Sequence, residues 1–169
     1  LPTSQQSEYV RTHPLTRDRI DSVEAAVERS PLKDKSTPES WAEQHRRMKA
    51  KLVGFITPQQ VAWTYDDRDR SVAADTARAV AAYRQNQIPE ALKAIDSLIA
   101  REPKNPYFHE LKGQMLRDFG RVTEALPAYE KAVSLAPQSG LIRADLAHVM
   151  IETAGSSEAK LQKALDHLN

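Results

Sequence analysis

The sequence predicts an all-α protein, a tandem array of paired helices (an α-solenoid) preceded by a helical linker. Three observations indicate this class. Apolar residues recur at helical spacing through most of the chain, no segment shows the sustained alternation of a strand, and a pattern of residues returns after 34 positions. The repeat predicts that each helix pair packs mainly on its neighbours.

The composition narrows the classes of function. Hydrophobic residues make up 40% of the 169 residues, charged residues 28%, and the net charge is +1. A chain so nearly neutral lacks the basic surface that nucleic-acid binding needs, so nucleic acid is not an expected partner. Its apolar runs fall far short of the roughly 20 residues that cross a bilayer, which predicts a soluble chain. The absence of cysteine excludes disulfides and thiolate zinc sites.

Two helices and a short helical turn are predicted before the repeats. Thr16 is suited to cap a helix that ends near Ser30, and Pro38 is suited to open a second helix that ends near Val53. One face of each helix carries apolar or weakly polar residues, namely Ile20, Val23, Ala26 and Val27 in the first and Trp41, His45, Met48 and Leu52 in the second. Thr57-Pro58 begins a short turn through Trp63, and residues 65–70 form a charged connector. The ten prolines are expected between helices rather than inside them.

Steric requirements explain which residue types recur at the main positions of the repeat. A shift of 34 residues places the EALKA motif of residues 90–94 over the EALPA motif of residues 124–128. The same shift pairs small residues at a close helix crossing, large or apolar residues between repeats, and residues that tolerate a left-handed turn. These pairs are Ala79 with Gly113, Ile95 with Tyr129, Leu98 with Ala132, and Asn86 with Gly120. The period and the pattern resemble those of the tetratricopeptide repeat (TPR).

A third copy begins at Gly140, with Ala147 in the small-residue position and Gly155 near the turn. Its second helix fits the pattern if about four residues are inserted. No capping element follows, so the last repeat is expected to be covered by further chain, by a partner, or by a second copy in a homo-oligomer. Because the chain starts at Leu1 rather than methionine, it is interpreted as a processed or shortened product. The predicted divisions are 1–30, a linker at 31–70, and repeats at 71–105, 106–139 and 140–169, the last incomplete.

A search for catalytic motifs finds none within the chain. His109-Glu110 begins like the HExxH helix of zinc proteases, but Gly113 stands where the second histidine would be needed. The remaining histidines of the repeats and linker, His45, His148 and His167, have no partner at ligand spacing. The chain is therefore expected to need no cofactor and to be inactive alone.

One segment before the repeats resembles part of an enzyme family. Residues 9–20, YVRTHPLTRDRI, read simply as a capped helix with a histidine before it. They also resemble the THPxxxxRI segment late in the protease domain of HtpX-like and CAAX-endopeptidase-type zinc metallopeptidases. In the BepA-like periplasmic branch of that family, a helical linker and TPR repeats follow this segment.

The resemblance implies a zinc metalloprotease parent whose HExxH helix would lie before Leu1. It implies that His13 stands beside the zinc, as an oxyanion stabiliser or metal cap, and that Arg19 holds neighbouring carboxylates. Both would be accessory catalytic residues, and His13 would be the one candidate metal contact in this chain. A periplasmic location and contact with membrane-associated assembly machinery through partners are implied in the same way.

The first helix of each TPR lines the concave face of an array, so its outward positions predict a protein- or peptide-binding groove. The predicted groove residues are Thr76, Val80, Tyr83, Arg84, Tyr107, Glu110, Gln114, Arg117, Asp118, Ala144, His148 and Glu152. Two functions follow: the interaction region of a periplasmic protease, which recruits substrates in outer-membrane protein quality control, or a free-standing TPR adaptor without protease activity.

Overall fold

The computed structural model describes residues 16–168, which are all-helical apart from turns and connectors. The helices are α1 Thr16–Glu28, α2 Glu39–Ile56, α3 Val61–Thr64, α4 Val72–Arg84, α5 Ile88–Arg101, α6 Pro106–Asp118, α7 Val122–Leu135, α8 Gly140–Ala154 and α9 Glu158–Leu168. A 3₁₀ turn at Pro58–Gln60 precedes α3. The all-α prediction is confirmed. No helix within the described range is long and apolar enough to span a bilayer.

The chain forms two compact units, residues 1–42 and residues 43–169. In the described part of the first unit, α1 ends at Glu28, slightly before the predicted end near Ser30. Its apolar side is largely exposed, with Ile20, Val23 and Val27 at 50%, 62% and 50% exposure. The predicted stripe therefore exists as a helix face, but it is not a buried one.

In the second unit, α4 to α9 form three consecutive helical hairpins. Local signals set their ends: the Ser71 hydroxyl accepts a hydrogen bond from the backbone N–H of Ala74 at α4, and the Asn105 side chain accepts one from the N–H of Tyr107 at α6. The turns after α4 and α6 have positive φ at Asn86 (58°) and Gly120 (76°). The prediction of left-handed turns at both positions is confirmed.

The paired repeat positions pack as the sequence predicted. Ile95 and Tyr129 are fully buried, and Leu98 is 1% exposed. The ring of Tyr129 lies so close to Gly113 that a Cβ added there would stand 2.7 Å from the Tyr129 Cδ2. A small residue is therefore required at this crossing because the second helix of the same hairpin inserts a large one.

Two details of the repeats differ from the sequence prediction. Pro127 lies inside α7 rather than between helices; its exposed ring costs one backbone hydrogen bond. The second helices of the three hairpins begin at Ile88, Val122 and Glu158, so the last interval is two residues longer than the first. The extra length lies partly in α8, which has 15 residues where α6 has 13, and it is smaller than the predicted insertion of about four.

The linker helix α2 buries a different face from the one that its apolar stripe predicted. The predicted stripe is mostly exposed, with Met48 at 55% and Leu52 at 50%, whereas Ala50 and Gly54 are buried. Ala50 joins a cluster with Ala73, Ala77 and Ala81 of α4. Small side chains on both helices allow their backbones to approach closely, and the larger residues are left on the outer side.

A bidentate ion pair joins α2 to Glu102, the residue that follows α5. Arg47 donates from Nη1 and Nη2 to the Oε2 and Oε1 of Glu102, at 2.8 and 2.9 Å. The hydrogen bond from Arg47 is the main cause of the lowered pKa of the Glu102 carboxyl. The paired carboxylate therefore stabilises the fold above its ordinary pKa of 4.5, and this contribution is lost as the pH falls through the lowered value.

We expect Arg47→Ala to lower the free energy of unfolding by about 0.5–1 kcal/mol at pH 7, because both groups remain partly solvated. The loss should shrink as the pH falls below 4.5 and through the lowered pKa of the Glu102 carboxyl. Chemical denaturation of both proteins over a series of decreasing pH values measures this difference. Lys49→Ala, an exposed change on the same helix, should alter stability little throughout the series, and a loss from Arg47→Ala that does not change with pH would contradict the assignment.

Candidate functional site

The first helices of the hairpins, α4, α6 and α8, present a shared surface that α2 borders. We call it the first-helix face and define it by the residues Lys51, Arg84, Glu110, Gln114, Arg117, Asp118, Asp145, His148 and Glu152. Residues 43–56 of α2 contact its first repeat through Phe55, whose ring meets that of Tyr83 edge-on with centroids 5.9 Å apart. The guanidinium of Arg84 lies 6.0 Å from the Phe55 ring centroid.

A polar contact joins the first and second repeats beneath this face. The Tyr83 hydroxyl donates a hydrogen bond to Oδ2 of Asp118. Arg117 Nε donates to the other oxygen of the same carboxylate at 3.3 Å. Burial, followed by the Asp118 contact, raises the pKa of Tyr83 to about 12, so the phenol stays protonated and remains a donor at physiological pH.

Glu110 of α6 is 8% exposed as a residue, but solvent reaches its carboxylate oxygens, since the Tyr129 hydroxyl is the only buried polar side-chain atom of residues 16–168 that lacks a partner. Among the described residues Glu110 has no hydrogen-bond or ion-pair partner. Burial raises the pKa of its carboxyl above 4.5, the charge of Lys51 on α2 opposes this, and the charge of Asp145 on α8 adds to it. The chain therefore holds a carboxylate in an environment that disfavours its charge.

Asp145 is a second carboxylate of the same kind. It is half-buried, and it likewise has no hydrogen-bond partner within residues 16–168. Burial raises its pKa, while the nearby charges of Arg117, His148 and Lys51 oppose the shift. Glu110 and Asp145 thus share a mixed environment in which cations stand nearby but none is bonded to them.

The phenol of Tyr129 reaches this environment from α7. Its ring is fully buried against Gly113, and its hydroxyl is buried without a hydrogen-bond partner among the described residues. Burial raises the pKa of Tyr129, and the charged groups that act on its hydroxyl are Arg117, Asp145, Glu110 and Asp118. A buried hydroxyl without a partner costs about 1–3 kcal/mol.

The far end of the face is more open. His148 and Glu152 on α8 approach to 2.8 Å between Nε2 and Oε1. They border a pocket of about 370 Å³ that is also lined by Ala144, Ala147, Ile151 and Leu168. The polar pair and the apolar lining can together contact an amphipathic side chain.

The structure separates the predicted groove residues into two groups. Thr76, Val80 and Tyr83 are buried, the last two in contact with Gly54 and Phe55 of α2, so they form the floor of the face rather than its open surface. The accessible or partly accessible members are Arg84, Tyr107, Gln114, Arg117, Asp118, Ala144, His148 and Glu152. Glu110 is also buried as a residue, at 8% exposure.

Sequence reasoning missed Lys51, Asp145 and the Tyr129 hydroxyl. For Asp145 a signal existed, because the 34-residue register places it over Leu111 and Ala77, which are 2% and 0% exposed. A carboxylate in a position that is buried and apolar in the other repeats points to a polar site. Lys51 gave no such signal, since its position depends on how α2 packs.

Of the two accessory catalytic residues implied by the resemblance, the structure describes Arg19 alone. His13 lies outside the described residues. Arg19 is exposed on α1 and has no ion-pair or hydrogen-bond partner within residues 16–168. In the same range, no three histidine, aspartate or glutamate side chains are grouped to hold a metal ion.

Removing the charge of Glu110 tests whether its burial is costly. We expect Glu110→Gln to raise the free energy of unfolding by about 1 kcal/mol at pH 7, because burial disfavours the charged carboxylate that the amide replaces. Because its folded pKa is raised, the wild type bears no such cost below pH 4.5 and acquires it as the pH rises through the folded value. Denaturation at pH 7 and pH 4.5 should therefore show the gain shrinking at the lower pH.

The exposed Glu130 of α7 offers the matched change. Glu130→Gln should leave stability within about 0.5 kcal/mol at both pH values. A loss of stability in Glu110→Gln at pH 7 would show that the Glu110 carboxylate is stabilised rather than strained.

The repeats are similar in sequence to those of known proteins. Residues 76–140 match a tetratricopeptide repeat family model. An uncharacterized protein of Rhizobium meliloti (strain 1021) is 33% identical over 84 residues, which cover 48% of this chain and 20% of the relative, so the chain spans about a fifth of that protein's length.

Two solved structures share the fold. The chain named MamA MSR-1 superposes with a TM-score of 0.53 at 14% identity, over 95% of this chain and 91% of that one. The chain named MamA AMB-1 gives a TM-score of 0.52 at 15% identity, over 88% and 80%. Residues 76–140 are therefore tetratricopeptide repeats, and the chain has a TPR-like α-solenoid fold.

Proposed function

We propose that the chain is a protein-interaction module that binds an extended polypeptide on the first-helix face. The observation that carries this proposal is the row of accessible or partly accessible polar side chains of both charges along α4, α6 and α8, namely Arg84, Gln114, Arg117, Asp118, Asp145, His148 and Glu152. An extended peptide supplies backbone donors and acceptors together with side chains of mixed polarity, which such a surface can satisfy. The open cavity of about 370 Å³ at the end of the face offers room for a side chain of such a peptide.

Selection from a random dodecapeptide library displayed on phage tests the proposal with the whole chain as bait. Hydrogen exchange of the chain with each selected peptide then locates binding, and we expect protection on α4, α6 and α8. Gln114→Arg, in the middle of the face, should weaken binding about 10-fold, equivalent to about 1.4 kcal/mol. Gln138→Arg, in the exposed turn after α7, should have no effect. Protection confined to the second helices α5 and α7 would overturn the proposal.

The same face fits a role inside a larger enzyme. In this narrower proposal the repeats recruit substrates or assembly machinery to a periplasmic zinc metalloprotease, and the support is the resemblance of residues 9–20. The free-standing adaptor accounts for the TPR fold equally well. Intact mass and zinc content of the product of the full gene separate the two: about one zinc in a larger product supports the protease, and a metal-free product of this chain's mass supports the adaptor.

Self-association through the last repeat is a third proposal. It is supported by the exposed apolar residues of α8 and α9, with Leu141 at 72%, Ile151 at 48%, Leu165 at 50% and Leu168 at 53% exposure. Light scattering across a concentration series should then show a dimer that Leu168→Glu abolishes. A monomer at the highest concentration would exclude this proposal.

A further inference from the structure

The repeats show twice what covers the C-terminal side of a helix pair. The apolar residues of the first pair are buried against the first helix of the second pair. From α4 and α5 this cluster contains Ala79, Val80, Tyr83, Ala91, Ile95 and Leu98, and from α6 it contains Phe108, Leu111 and Met115. The second pair is covered in the same way by Leu146 and Val149 of α8. A pair in this array therefore needs a further helix on that side.

The third pair leaves the same positions uncovered in the described structure. The eighth and eleventh residues of the second helices are Ile95 and Leu98 in α5, Tyr129 and Ala132 in α7, and Leu165 and Leu168 in α9. In α5 and α7 these residues are at most 1% exposed, whereas Leu165 is 50% and Leu168 53% exposed. Ile151 of α8 is 48% exposed, although Tyr83, its counterpart in the first pair, is buried.

This uncovered place is called the end slot and is defined by Ala147, His148, Ile151, Leu165 and Leu168. Four of these residues line the cavity of about 370 Å³ between α8 and the end of α9. The end slot continues the interface that joins the pairs, so the pairs themselves indicate its occupant. In α6 the covering residues are Phe108, Leu111 and Met115, apolar side chains three and then four positions apart.

Helix α1 presents apolar side chains with this spacing. Ile20, Val23 and Val27 are also three and then four positions apart, and they are 50%, 62% and 50% exposed. The outward apolar residues of α2 have another spacing, because Met48 and Ile56 each lie four positions from Leu52. Helix α2 is moreover held against α4 through Ala50. Of these two helices, α1 is the better match to α6.

We propose that α1 of one copy of this chain occupies the end slot of a second copy. The inference rests on the proposed self-association through the last repeat and names the segment that enters it. Docking removes apolar surface of both copies from water, on α1 and on Ile151, Leu165 and Leu168. The contact joins two different surfaces, so two copies that exchange α1 reciprocally form a closed dimer. A docked α1 fills the cavity at the end of the first-helix face and leaves the residues of α4 and α6 outside the contact.

Two variants of the full chain test each surface alone and then together. Val23→Glu disrupts α1 and keeps the end slot, whereas Leu168→Glu disrupts the slot and keeps α1. Light scattering across a concentration series should show each variant associating about 10-fold or more weakly than the wild type, because docking would bury a charge. An equimolar mixture of the two variants should recover a heterodimer, since one intact α1 then meets one intact slot.

Matched controls place the same charge on the far sides of the two helices. Ala25→Glu in α1 and Ala159→Glu in α9, both at exposed positions, should associate as the wild type does. Val23 and Leu168 are more than half exposed, so neither test substitution is expected to unfold the chain. Melting curves of every variant check this before the light scattering is interpreted.

The outcomes separate failure of α1 docking from failure of self-association. Wild-type association of Val23→Glu, together with a monomeric Leu168→Glu, would overturn α1 docking and leave self-association through the last repeat. Loss of association in both variants without recovery in the mixture would also overturn the docking, because an intact α1 and an intact slot would then not bind each other. A wild type that stays monomeric at the highest concentration would remove self-association itself and this inference with it.

Discussion

Tyr129→Ala is expected to lower the free energy of unfolding by about 3–5 kcal/mol, the range for deletion of a large buried aromatic side chain. Tyr129 is fully buried, packs on Gly113 of the first helix of its own pair, and lies in a cluster with Leu116 of that helix and with Leu146 and Val149 of the third repeat. Alanine would leave a cavity between the second and third repeats at the position where each contacts the other. Because repeat arrays are stabilised largely by such interfaces, the loss should be greatest in α6 to α8.

Tyr129→Phe separates the ring from its hydroxyl. It keeps the packing and removes a buried hydroxyl that has no partner in the described structure, so its stability should equal or exceed that of the wild type by up to about 1–2 kcal/mol. Thermal melts should show the alanine variant roughly 6–20 °C below wild type. Similar losses in the two variants would mean that the hydroxyl, rather than the ring, stabilises the interface.

The repeats could be predicted because each of their constraints is contained in a 34-residue pattern. The small residue at Gly113 and the large one at Tyr129 are steric partners, and the left-handed turns at Asn86 and Gly120 need residues that tolerate positive φ. These requirements recur from copy to copy, so one sequence displays them more than once. The position of Pro127 was predicted wrongly because a repeat pattern does not show whether an exposed helix position can lose its backbone hydrogen bond.

The packing of α2 could not be predicted in this way. Helical periodicity indicated a stripe through Met48 and Leu52, but burial falls on Ala50 and Gly54, where two backbones approach. Which face packs depends on the shape of α4, a feature of the tertiary structure rather than of the periodicity. The position of Lys51 near Glu110 and Asp145 follows from that packing, so it could not be predicted from the sequence either.

Gly54→Ala should show how far the first-helix face depends on α2. A Cβ at Gly54 would lie 2.8 Å from the backbone oxygen of Ala77 and 2.8 Å from Cβ of Val80. A backbone oxygen cannot rotate away, so α2 must shift, at a cost of about 1–3 kcal/mol for overpacking. The better helix propensity of alanine returns at most about 1 kcal/mol. We expect a lower melting temperature and faster hydrogen exchange in residues 43–56.

Gly140→Ala is the matched control, because a Cβ at Gly140 would meet nothing within 4 Å. It should leave the melting temperature unchanged or slightly raised. Displacement of α2 by Gly54→Ala would also carry Lys51 away from Glu110 and Asp145, removing a charge that lowers the pKa of both carboxyls. Carboxyl ¹³C titration should then show both groups protonating at higher pH than in the wild type. Unchanged titration together with lowered stability would mean that Lys51 does not depend on this helix contact for its place at the face.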